Sequence, residues 1–115
     1  MVDTPQAVFE RHVAALSAGD FDSLAADYAA DALVLTPTGE YRGRPAIREL
    51  FEGLMEGLPD VAFEAQVAVF ADDLLLLHWT ADSALNSVTD GVDTFVFSGG
   101  QIQAQTIACT LTPKV

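Results

Sequence analysis

The side chains able to do chemistry in this chain are few and lie far apart. The stretch "DGVDTFVF", residues 90–97, puts Asp93, Phe95 and Phe97 on one face of an alternating run and Val92, Thr94 and Val96 on the other. A carboxylate in that company is costly unless it is paired, hydrogen-bonded or protonated. A carboxyl held near its protonated form is a general acid. His12 and His78 are the other groups that exchange protons near neutrality. Together with Asp93 they match the ligand types of a two-histidine, one-carboxylate metal site. Cys109 is the single cysteine, and Gln105 and Gln103 alternate with it toward the C-terminus. Each residue has a plainer reading. Asp93 could face water near the start of its strand or accept from backbone, His12 could be a core histidine donating to a carbonyl, and Cys109 could be a small buried filler.

No Gly-rich phosphate loop, G-x-S-x-G, cysteine pair or His-x-x-x-His occurs, so any chemistry has to come from residues that converge in space. We expect no metal and no cofactor. The three arginines around residues 42–48 read as surface pairs, for example Arg48 with Glu52, with an anion gate as the sharper alternative.

The elements that must position these residues are legible from spacing. Thr4 is an N-cap with Pro5 at the first helical position, and Gly19 is the stop; Phe9, Val13 and Leu16 form the apolar stripe, with His12 upon it. A second short helix starts at Asp20 and carries Leu24 and Tyr28 inward. "ALVLTP", residues 32–37, reads as a strand ended by Pro37, and Gly39 and Gly43 bracket a turn or small hairpin. The third helix follows Pro45, with Ile47, Leu50, Phe51, Leu54, Met55 and Leu58 at helical spacing, and Pro59 ends it. From residue 61 the period becomes two: "VAFEAQVAVF", "LLLLHWTADSAL", "VDTFVF" and "IQAQTIACTLT" are separated by "ADD", "NSVTDG" and "SGG". Helices ahead of an antiparallel meander define an α+β domain whose helices cover one face of a curved sheet.

Size and charge narrow the functions. At 115 residues the chain is one domain, residues 1–115, with one core. Seventeen Asp and Glu against five Lys and Arg give a formal charge of −12, which repels phosphate backbones and anionic membrane surfaces. Neither nucleic acid nor a membrane is an expected partner. The N-terminus lacks a basic start followed by an apolar run, and "LLLL" is too short to span a bilayer, so a cytoplasmic location is expected.

"AALSAGD", "YAADALV", "RGRPAIRELF" and "GVDTFVFSGGQI" together resemble the SnoaL-like and ketosteroid-isomerase-like families of the nuclear-transport-factor-2-like superfamily, over nearly the whole chain. The resemblance implies a cone: a strongly curved antiparallel or mixed sheet around three helices, a cystatin-like α+β barrel with an apolar pocket at its open end, dimerising through the outer face of the sheet. It implies a cofactor-independent acid-base enzyme (isomerase, cyclase or hydrolase) acting on an apolar carbonyl-containing or cyclic substrate. A ligand-binding or dimerisation domain on the same fold is the alternative.

Carried over residue by residue, Asp93 matches the acid that stays protonated in an apolar site and donates to an enolate oxygen. His12 stands where the isomerases have an oxyanion-hole tyrosine. Tyr28 keeps a supporting tyrosine, and Phe51 replaces another. Thr36 stands at the general-base position, where a hydroxyl cannot remove a proton near neutral pH, so steroid isomerisation by the family mechanism is not expected. The triad of the epoxide-hydrolase branch is replaced by His78, Thr80 and Ile107. The expected catalytic residues are therefore His12 and Asp93, assisted by His78. The expected substrate-binding residues are Tyr28, Thr36, Phe51, Met55, Phe95, Gln105 and Cys109. Counting back without a gap from Asp93 puts Leu74, Leu76, His78 and Thr80 inward and Trp79 outward. Val61, Phe63, Val67, Val69, Leu75, Leu77 and Trp79 would then form an apolar outer face that associates as a homodimer.

Overall fold

Thr4 begins the first helix as expected in the computed structural model, which describes residues 3–114. Its hydroxyl accepts from the Ala7 N–H at 3.2 Å, Pro5 occupies the first turn of α1 (Pro5–Ala18), and Gly19 closes the helix in the left-handed region at φ 67°. Val8, His12 and Ala15 are the buried line of α1. Phe9, Val13 and Leu16 flank that line, half-buried because they face a cavity. Asp20 caps α2 (Phe21–Ala26) through the Ser23 N–H.

Tyr28 is buried as expected, but it opens β1 (Tyr28–Thr36) and does not belong to the helix. The strand starts four residues earlier than "ALVLTP" suggests because Tyr28 pairs with Ile102 near the C-terminus, while its carbonyl accepts from Arg44 Nε at 2.8 Å. β2 (Gly39–Arg42) folds back on β1, and α3 (Gly43–Glu56) buries Ile47 and Phe51. The meander follows as β3 (Ala62–Ala71), β4 (Leu74–Asp82), β5 (Asn86–Ser98) and β6 (Gln101–Ala108), with a short β7 (Thr112–Pro113) on the start of β5. The sheet order is β2-β1-β6-β5-β4-β3, with β1 parallel to β6 and the other pairs antiparallel. Three helices on one curved mixed sheet bear out the expected α+β cone.

One register shift decides which residues reach the interior. "NSVTDG" reads as a turn but lies within β5. Asp82 pairs with Ser87 and Ala81 with Val88, yet Trp79 pairs with Gly91 and Leu77 with Asp93, so β5 carries one extra residue beside Thr80. An inserted residue exchanges the faces of everything beyond it. Counting without a gap is thereby corrected: Leu75, Leu77 and Trp79 are buried on the inner face with Asp93, whereas Leu74, Leu76 and His78 are exposed on the outer face. A second shift between Ala65 and Val67 puts Phe63 and Ala65 opposite Ala81 and Trp79, and Val67 and Val69 opposite His78 and Leu76. The outer apolar face is thus Val67, Val69, Leu74, Leu76, Val92 and Val96, not the set containing Phe63, Leu75, Leu77 and Trp79.

Candidate active site

α1, α3 and the inner face of β3–β6 line a half-open cavity of about 300 Å³. Its wall is apolar: Phe9, Val13 and Leu16 from α1, Phe51 and Leu54 from α3, then Phe63, Leu77, Phe95 and Ile107 from the sheet. Into this lining project Asp93, His12 and Trp79, while Glu10 and Glu64 are exposed contributors. Among the described residues, no Lys or Arg lines it.

Asp93 is 6% exposed and held by two donors. Trp79 Nε1 donates to Oδ1 at 2.9 Å and Gln105 Nε2 donates to Oδ2 at 3.0 Å. Both donors come from diagonal cross-strand positions, Trp79 opposite Gly91 and Gln105 opposite Phe95, where long side chains can reach across a ladder. Gly91 is what lets the indole lie there: a Cβ at residue 91 would fall 2.3 Å from Trp79 Cε2. Gln105 is oriented in turn by Tyr28, whose hydroxyl donates to Oε1. Burial raises the Tyr28 pKa well above its ordinary value, keeping the phenol a neutral donor, so the amide presents its NH₂ to Asp93. Burial also pushes the Asp93 carboxyl up to about 6, against the two hydrogen bonds, which pull it down.

His12 is 3% exposed, with the rings of Phe95, Phe51 and Tyr28 edge-on at centroid distances of 5.3, 5.7 and 6.0 Å. Its Nδ1 is the one buried side-chain polar atom without a hydrogen-bond partner among the described residues. Burial lowers its pKa to about 4, so the imidazole is neutral at pH 7. The site therefore pairs a poised carboxyl with an uncharged imidazole, and the two make no direct hydrogen bond: the Asp93 oxygens accept from Trp79 and Gln105, each with a lone pair to spare, and His12 Nδ1 has no partner.

Of the residues singled out in the sequence, His12, Asp93, Phe51 and Phe95 share this cavity, and Tyr28 and Gln105 stand behind it as the chain that orients Asp93. Thr36 and Cys109 line a separate, more open groove of about 610 Å³ on the other side of Ile107. Burial raises the Cys109 thiol to about 11, so it is no thiolate nucleophile near neutral pH. Met55 is half-buried on α3 and lines neither space. His78 is a correction: it faces outward opposite Val67 and Val92, so it cannot assist Asp93 or join it on a metal. Gln103 donates to Asp31 at 3.1 Å and lines neither space. Arg48 pairs with Glu52 as expected and also with Asp22. Sequence reasoning missed Trp79 and Gly91, and the one available signal was "TDG", which marks a bulge as readily as a turn.

The curved sheet around three helices is a fold shared with solved NTF2-like proteins. The chain belongs to the SnoaL-like domain family, whose profile matches residues 9–105. Solved structures of the same fold include IdmH, a candidate polyketide cyclase from Streptomyces antibioticus, at 17% identity and TM-score 0.78, covering 93% of this chain and 92% of that one. A candidate ketosteroid isomerase from Kribbella flavida aligns at 14% identity and TM-score 0.77, over 92% and 77% of the two chains. An NTF2-like protein of unknown function from Burkholderia xenovorans aligns at 20% identity and TM-score 0.75, over 96% and 84%. No curated protein matches.

Proposed function

We propose that this protein is a cofactor-independent acid-base enzyme of the SnoaL-like type, acting in the cytoplasm as a homodimer on a small, uncharged carbonyl-containing or cyclic substrate. The observation that carries this reading is Asp93: a nearly buried carboxyl with a pKa raised to about 6, fixed by two donors, in an otherwise apolar cavity. A catalytic acid works best when its pKa lies near the operating pH. An apolar ligand expels remaining water from the cavity, which drives Asp93 further toward the neutral acid. The protonated carboxyl then donates to a substrate carbonyl oxygen and stabilises the charge that develops there as an α-proton passes to one of the exposed carboxylates of the lining, Glu10 or Glu64. Glu10, Glu64 and the absence of a lining cation disfavour anionic substrates.

A second reading, a ligand-binding domain without turnover, is favoured by the lack of an interior base: His12 is neutral with a pKa of about 4, and Thr36 lies outside the cavity. Deuterium exchange at the α-carbons of 2-tetralone in D₂O, followed by NMR, separates the two readings. The enzyme reading requires exchange above the buffer background that falls by roughly 10²-fold or more in Asp93→Asn. Binding of the ketone without accelerated exchange establishes the binding domain instead.

A further inference from the structure

Leu54 of α3 and Ile107 of β6 each line two spaces, the cavity of about 300 Å³ that holds Asp93 and the groove of about 610 Å³ beside it. No other residue is common to both linings. The two sides differ in chemistry. Beyond the wall, Thr36 Oγ1 lies 2.8 Å from Thr38 Oγ1, which lies 2.9 Å from the Tyr41 hydroxyl, whereas the near side is almost wholly apolar around Asp93. Ile107 is the direct cross-strand partner of Asp93, so its side chain stands beside the carboxyl on the same face. A β-branched side chain on a paired strand is stiff at χ1. Leu54 comes from α3, three residues after Phe51, and lines the same two spaces as Ile107.

We infer that Leu54 and Ile107 form a partition that sets the size of substrate the site accepts. On the side of Ile107, a ligand with its carbonyl oxygen on Asp93 meets this wall within one or two fused rings, and a skeleton that extends further in that direction has to pass through it into the hydroxyl-lined groove. Filled to the density of a protein interior, about 0.75, a cavity of about 300 Å³ holds roughly fifteen non-hydrogen atoms. The preferred substrate class is therefore a one- or two-ring carbonyl compound. This inference rests on the cavity being the ligand site, and the experiment distinguishes the two.

Trp79 is the single tryptophan and lines the cavity, so its fluorescence reports occupancy. The probes are acetophenone, 2-acetylnaphthalene and androstenedione, with one, two and four rings. The wild-type protein is expected to respond to the first two and not to the third. The Leu54→Ala/Ile107→Ala double variant, with folding checked by circular dichroism, is expected to gain androstenedione binding by at least tenfold while holding acetophenone no more tightly than before. Should the double variant fail to fold, Leu54→Ala alone, at a half-buried helix position, is expected to gain at least threefold. Wild-type binding of androstenedione as tight as that of 2-acetylnaphthalene overturns the partition and leaves the ligand site standing. A folded variant that gains nothing does the same. No response to any of the three ketones in any of the proteins overturns the carbonyl site and the partition together.

Discussion

The indole nitrogen of Trp79 donates to Oδ1 of Asp93 across 2.9 Å, from the strand next to the one that carries the acid. The bond is buried on both sides, so its loss is not made good by bulk water. Trp79→Phe keeps much of the ring but removes the donor, leaving Asp93 with Gln105 alone. The Asp93 pKa should then rise further above 6, because a bond that favours the carboxylate has gone while the desolvation remains. A carboxyl ¹³C titration followed by NMR reads this directly, and an unchanged or lowered value would show that the bond does not tune the acid. A stability loss of about 1–3 kcal/mol in urea unfolding is expected alongside.

Gly91 sits under that indole. A Cβ there would fall 2.3–2.4 Å from ring carbons of Trp79, so Gly91→Ala forces the indole or the strand to move. The expected result is destabilisation of about 1–3 kcal/mol by overpacking, with a changed Trp79 emission maximum in the folded protein. Wild-type stability with wild-type emission would mean that the indole does not rest on Gly91.

The same pair of residues shows where sequence reasoning stops. Helix caps, the hairpin after Pro37 and the switch from helical to strand period are local properties of neighbouring residues, and Thr4, Asp20 and Gly19 do what their types dictate. Asp93 beside Phe95 and Phe97 announces an unusual carboxyl for the same reason. Which face of β4 points inward is not local, since "LLLLHWT" is apolar on both faces and its parity depends on one extra residue in another strand. That is why His78 and Trp79 exchange places. The Tyr28–Gln105–Asp93 chain spans 77 residues of sequence between its phenol and its amide, and no spacing rule encodes it.

The outer face carries the homodimer in our proposal. Val69 is 54% exposed and Leu74 50%, and with Val67, Leu76, Val92 and Val96 they make an apolar face of adjoining strands. Patches of this kind are rarely left to water. A dimer is expected in sedimentation equilibrium at micromolar concentration. Leu76→Glu places a charge at the middle of the patch and should shift the protein to monomer with the far-ultraviolet dichroism preserved. A monomeric wild-type protein would remove the proposal.

His12 and Asp93 should pull stability in opposite directions over nearly the same pH range. The folded pKa of His12, about 4, lies below its ordinary 6.5, so as pH falls the unfolded chain takes up the proton first. Its contribution is complete above about 6.5 and is lost progressively toward pH 4. The folded pKa of Asp93, about 6, lies above its ordinary 3.8, so the folded protein keeps a proton that the unfolded chain releases. Its contribution is complete below about 4 and is lost as pH rises to 6. Shifts of this size correspond to about 3 kcal/mol each, and in the wild-type protein they largely offset one another. Removing one partner should expose the other. Relative to wild type, Asp93→Asn should lose stability as pH falls from 6.5 to 4, and His12→Phe should gain it over the same interval, each by up to about 3 kcal/mol. The remaining carboxylates are common to all three proteins, so the differences between their urea unfolding profiles isolate the pair. Three parallel profiles would show that neither group is held away from its ordinary pKa, and Asp93 would lose its claim to be the acid of the site.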